Sequence, residues 1–86
     1  MYPVQWSRSA RNDLAEIWLR SDTARRKAVT QIVNEIDQRL AADPIGAGES
    51  RDQGRRILIV RPLALIYRID PEGVVRILSV WTSRGS

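Results

Sequence analysis

The sequence predicts a two-layer α+β fold in the order β-α-α-β-β-β, with two helices packed on one face of a small, mainly antiparallel sheet. Three observations carry this. From Gly54 to Trp81, runs rich in Ile, Val, Leu and Tyr are separated by breakers, as in consecutive antiparallel strands. Before them, two blocks of apolar residues recur at helical spacing between Ser7 and Ala42. A short alternating run, Tyr2 to Trp6, opens the chain, and the long link through both helices lets it join the sheet beside the last strand. Residues 1–86 read as a single domain.

The first strand sets Tyr2, Val4 and Trp6 against Pro3 and Gln5, and Pro3 confines it to an edge or a strand start. Ser7 or Ser9 can cap the helix that follows, whose apolar positions are Ala10, Leu14, Ile17 and Trp18. Asp13 and Glu16 lie three apart on it and read as part of a solvated face. Ser21 or Asp22 caps a second helix running to about Ala42, with Ala28, Val29, Ile32, Val33, Ile36 and Leu40 as its apolar stripe. Arg25, Arg26 and Lys27 stand near its start, where the helix dipole disfavours cations. Asp43-Pro44 ends the helix, because the residue before proline avoids the α region. Residues 44–54, with Gly46, Gly48 and Gly54, read as a flexible polar connector; their glycine spacing is that of neither a P-loop nor a dinucleotide fingerprint. Pro62 marks a strand start, and Asp70-Pro71-Glu72-Gly73 has the residue preferences of a type I turn.

Composition narrows the chemistry. There is no cysteine and no histidine among the 86 residues, which removes disulfides, thiolate metal sites and the usual general base. No cofactor or metal is expected. The formal charge is +4, and thirteen of the fourteen cations are arginine. Residues 1–43 carry seven cations and six acids, while residues 44–86 carry seven and four, so the basic excess sits on the strand half. Arginine forks bind carboxylates and phosphates, which fits an acidic protein segment or nucleic acid, although most such arginines simply solvate the surface. The start, Met-Tyr-Pro-Val-Gln-Trp, lacks the features of a signal peptide, and no run is long enough for a membrane span. A cytoplasmic protein that does not engage a membrane is the expectation.

The strands are apolar on both faces. Arg56, Leu58 and Val60 alternate with Ile57 and Ile59; Leu63, Leu65, Tyr67 and Ile69 alternate with Ala64, Ile66 and Arg68. By strict alternation, Leu78 and Val80 oppose Val75, Ile77 and Trp81. A sheet covered on one side only should alternate apolar with polar. Two covers are therefore expected, one from the chain's own helices and one from a partner. The partner-facing set is Ile57, Ile59, Ala64, Ile66, Arg68, Ile77 and Trp81.

The order and local phrases resemble the RelE/ParE superfamily, the toxins of type II toxin–antitoxin modules. Trp6-Ser7, Ala10, Asp13-Leu14 and Ile17-Trp18 look like its strand-to-helix passage. Gly54-Arg55-Arg56, Leu58, Val60, Leu65-Ile66-Tyr67-Arg68, Val75, Ile77-Leu78, Val80 and Trp81 follow its strand pattern. The likeness covers nearly the whole chain. It implies a bacterial toxin, of a kind linked to plasmid stabilisation, that is silenced by a cognate antitoxin wrapped over it. Arg56, Arg68 or Arg76 would pair with antitoxin carboxylates. A homodimer is the other assembly the reading allows.

Within the superfamily, RelE-like members cut mRNA on the ribosome using basic residues on the outer sheet face. The positions matching those lysines are Ile57 and Ile59, the matching arginine is Ala64, and Thr82 stands where many relatives carry histidine. Arg84, Arg56 and Tyr67 remain as candidates for catalytic chemistry. Arginine stabilises added charge but is a poor base at neutral pH. The chain therefore resembles the ParE-like toxins, which inhibit DNA gyrase by contact, more closely than the RelE nucleases. The competing readings are a ribosome-dependent endoribonuclease and a non-toxic nucleic-acid-binding or self-associating relative.

Overall fold

The computed structural model describes residues 1–83. β1 (Val4–Trp6) leads into α1 (Arg8–Leu19) and α2 (Thr23–Ala42). A short helix α3 (Pro44–Ala47), a two-residue strand β2 (Glu49–Ser50) and a 3₁₀ turn (Asp52–Gly54) follow. β3 (Arg55–Val60), β4 (Leu63–Ile69) and β5 (Val75–Thr82) complete the sheet, whose order is β1-β5-β4-β3-β2. β1 is parallel to β5 and every other pair is antiparallel. A parallel partner needs a long crossover, and the crossover here contains all three helices. The α+β architecture expected from the sequence is the one observed, enlarged by α3 and β2.

Local chemistry fixes the helix ends. Ser7, rather than Ser9, caps α1 by accepting from the Ala10 N–H at 3.0 Å. Asp22, rather than Ser21, caps α2 through the Arg25 N–H at 2.8 Å. Such caps are worth about 1 kcal/mol each. Ser21 instead donates its hydroxyl to the Ile17 carbonyl at 2.7 Å. The cations at the start of α2 are partly explained by Arg26, whose Nε donates to the Trp18 carbonyl at 2.9 Å while its guanidinium lies 5.6 Å from the Trp18 ring centroid. A cation there answers the negative end of α1 and ties the two helices together.

Apolar stripes then meet the sheet. Val29, Ile36 and Leu40 of α2 and Ala10 of α1 pack against Leu58, Leu63, Leu65, Val75 and Ile77, all almost fully buried. Each of these Val, Leu and Ile side chains contributes roughly 1.5–3 kcal/mol on burial. Trp6 packs at the edge of this cluster and donates its indole N–H to Asp37 at 2.9 Å.

The 44–54 stretch is not a flexible connector. Asp43 accepts from the Gly46 N–H at 3.0 Å and starts α3, with Pro44 at its first turn. The Tyr67 hydroxyl donates to the Pro44 carbonyl at 2.6 Å, and the Arg56 guanidinium donates to the carbonyls of Ile45 and Gly48. Gly48 is required by this close approach, since a Cβ there would lie 2.5 Å from the Ile57 carbonyl oxygen. Three residue types with poor helix or strand propensity (Pro, Gly and Asp) concealed elements that tertiary hydrogen bonds impose.

β5 departs from strict alternation. Ile66 of β4 pairs with Ser79 but Tyr67 pairs with Ile77, so Leu78 is an extra residue in a β-bulge. The bulge resets the alternation: Val75, Ile77 and Val80 all face the helices, while Trp81 faces outward. Strict alternation would put Ile77 with Trp81 on the partner face. Ile77 is instead fully buried in the core. The turn before β5 follows its sequence: the Gly73 N–H donates to the Asp70 carbonyl at 2.9 Å, and Gly73 takes a positive φ of 86°.

Candidate partner-binding face

The face of the sheet opposite the helices is laid out in rows by the register. One row reads Ile59 on β3, Ala64 on β4 and Trp81 on β5; the next reads Ile57, Ile66 and Ser79. Ile59 is 51% exposed and Trp81 39% exposed, whereas Ala64 between them is buried by its neighbours. Ile57 and Ile66 are half-buried. Large apolar side chains at the centre of a solvent-facing sheet surface are what a docking site presents. Of the expected partner-facing set, Ile57, Ile59, Ala64, Ile66, Arg68 and Trp81 share this face and Ile77 does not.

The third row is basic: Arg55 on β3, Arg68 on β4, Arg76 on β5, with Gln5 of β1 beyond. Arg76 is occupied within the chain. Its Nε donates to Asp70 at 2.9 Å and its terminal nitrogen to Gln5 at 2.6 Å. The Asp70 carboxylate, 7% exposed, also accepts the N–H groups of Val74 and Glu72. The Val74 hydrogen bond, with Arg76 and Glu72 adding, holds its pKa below the ordinary carboxylate value in spite of burial.

The residues left for catalysis do not assemble. Tyr67 is fully buried on the helix side, with its hydroxyl committed to Pro44, so it cannot exchange a proton with a substrate on the outer face. Arg56 also points to the helix side, where its guanidinium fastens α3 to β3. Arg84 lies outside the described residues. Positions 57, 59 and 64 carry no group that can bear charge.

Asp13 has a role that the sequence did not disclose. Instead of facing solvent with Glu16, it accepts the Val80 N–H at 3.1 Å. It lines a cleft of about 400 Å³ shared with Arg20, Arg25 and Trp81. On the other side of α1, a second groove of about 560 Å³ runs beside β1, lined by Val4, Trp6, Leu14, Trp18 and Val33. The tryptophans thus stand at surfaces and grooves as anchors with one wet side.

Comparison with known proteins decides the family. Residues 4–86 match the model of the ParE toxin of type II toxin–antitoxin systems. The chain belongs to the ParE toxin family. Among solved structures it resembles the chromosomal ParDE toxin–antitoxin system of P. aeruginosa, at 25% identity over 98% of both chains with a TM-score of 0.77. It also resembles the RelBE2 toxin–antitoxin complex of Mycobacterium tuberculosis, at 28% identity over 94% of this chain and 96% of that one, TM-score 0.71. The isolated E. coli RelE toxin shares the fold at 20% identity, with the whole of this chain and 88% of that one covered and a TM-score of 0.64. No curated protein sequence matches the chain. This ParE-family chain is accordingly the toxin component of a type II toxin–antitoxin module, on the RelE/ParE fold. Among its described residues, no helix is long and apolar enough to cross a membrane.

Proposed function

We propose that this toxin acts by binding its target, in the manner of gyrase inhibition, and not by cutting RNA. A cognate antitoxin silences it by covering the outer sheet face. One observation carries the reading: apart from Ser79, the central rows of that face are apolar, built from Ile57, Ile59, Ala64, Ile66 and Trp81. A cleavage site must place groups that move protons and stabilise charge against the scissile phosphate, and rows in which Ser79 has the one hydroxyl hold no charged group and no base to activate it. The same rows suit a protein segment, which gains roughly 25 cal/mol for each Å² of apolar surface it removes from water.

Induction of the protein alone tests the proposal. Growth arrest with altered plasmid supercoiling, and intact messages in a translating extract, is the expected result. Message cleavage that depends on the ribosome would favour the RelE-type nuclease reading instead. Unimpaired growth with normal supercoiling would remove the toxin-by-contact reading.

A further inference from the structure

Arg55 and Arg68 stand directly opposite each other on β3 and β4. The Arg55 carbonyl accepts the Arg51 N–H at 2.7 Å, so it is turned away from β4. The pair is therefore the narrow, non-hydrogen-bonded kind, with Cα atoms about 4.5 Å apart and side chains at their closest. Like charges so placed destabilise a sheet. Arg76, the next cation in the row, is neutralised by Asp70 and also donates to the Gln5 side-chain carbonyl. Among the described residues, neither Arg55 nor Arg68 takes part in an ion pair, and both are exposed. A depression of about 430 Å³ lies alongside, lined by Arg51, Asp52, Gln53, Arg55, Ile57 and Ile66. Folding alone gives no reason to pair two unneutralised arginines at this register.

We propose that Arg55 and Arg68 form a clamp for one carboxylate, carried by an acidic residue of the protein segment that covers the outer face. The inference rests on the partner reading above and adds the chemistry that would orient that partner. Two guanidinium forks converging on one carboxylate form short, charge-assisted hydrogen bonds. The occupant is a protein segment and not nucleic acid because of what lies next to the clamp. Two residues along β3, about 7 Å away by strand rise, the row turns to Ile57 and Ile66, and then to Ile59, Ala64 and Trp81. An amphipathic helix presents an acid and then apolar side chains at intervals of about 6 Å, four residues apart. A phosphate backbone would find its next phosphates over aliphatic side chains.

The test uses the full chain and a designed amphipathic helical peptide of about 20 residues, acetylated and amidated, with Glu in its first turn and Leu four and eight residues on. Its Glu→Gln copy and a single-stranded oligonucleotide are the comparison probes. Binding is read by isothermal titration for the native protein, Arg55→Gln and Arg68→Gln. Losing hydrogen bonds to a charged group should weaken the Glu peptide about tenfold or more in either variant. The Gln peptide should bind all three proteins about equally, so that the double-mutant cycle shows coupling. Thermal melts should show neither variant less stable than the native chain. Equal losses with the Glu and Gln peptides would overturn the clamp. So would oligonucleotide binding that is tighter than the peptide's and lost in the same variants. Growth arrest on induction is read separately. Arrest without coupling removes only the clamp, and coupling without arrest removes only the toxin reading.

Discussion

Asp13 on α1 accepts the N–H of Val80 on β5 at 3.1 Å, across 67 residues of sequence. Close by, the Ser7 hydroxyl donates to the Leu78 carbonyl at 3.2 Å, and the Ser7 N–H donates to the Ile77 carbonyl at 2.9 Å. The first half of α1 therefore holds the bulge of β5 and, through it, the outward direction of Trp81. Asp13→Ala leaves the Val80 N–H without a partner and should cost about 1–3 kcal/mol. Asp13→Asn keeps an acceptor and should cost less. Urea denaturation gives the stabilities, and amide hydrogen exchange at Val80 should accelerate in Asp13→Ala.

Tyr67 and Gly48 make the 44–54 segment part of the folded unit. Tyr67→Phe removes a buried hydrogen bond and leaves the Pro44 carbonyl unpaired, a loss of about 1–3 kcal/mol. Gly48→Ala forces a Cβ to within 2.5 Å of the Ile57 carbonyl oxygen and 2.6 Å of the Tyr67 hydroxyl, so backbone must shift. Both variants should lower the urea midpoint with little change in slope. A flexible connector would tolerate Gly48→Ala without loss.

Asp70 gives the fold a pH dependence of definite sign. Its folded pKa lies below the ordinary value of 3.8. Its stabilising effect is thus fully present above the unfolded pKa, about 3.9, and is lost as pH falls through the lower folded value. Stability measured from about pH 5 downward should decline more steeply in the native chain than in Asp70→Asn. Parallel slopes would mean that the Val74, Arg76 and Glu72 contacts do not form in solution.

The layers of the fold were legible because helix caps, turn residues and apolar periodicity are local. Ser7, Asp22 and the Asp70–Gly73 turn each act on neighbours within four residues. The bulge at Leu78 was not legible in the same way, since its fixing contacts come from Ser7 and Asp13 across the chain. The one local trace is the three-residue step from Ile77 to Val80, which breaks a period of two. Arg55 and Arg68 share a row only through the β3–β4 register, and a two-residue connection at Arg61-Pro62 sets that register. By composition alone Arg55 is one more surface cation.

Ile59 and Trp81 separate partner binding from folding. Ile59 is 51% exposed and Trp81 39% exposed, so a polar replacement removes less buried surface than one in the core, and less at Ile59 than at Trp81. Ile59→Ser should lower the melting temperature slightly, and Trp81→Ser by more, with the chain still folded. Leu58→Ala, one residue along and 3% exposed, should cost roughly 2–5 kcal/mol. In the complex the order reverses. A large side chain desolvated at the centre of an interface is worth about 2 kcal/mol or more, so Trp81→Ser should weaken antitoxin binding by about thirtyfold at least. Titration of each variant with the cognate antitoxin, beside its thermal melt, provides the two columns of the comparison. If Trp81→Ser and Ile59→Ser bind as the native chain does while remaining folded, the outer face is not where the antitoxin sits.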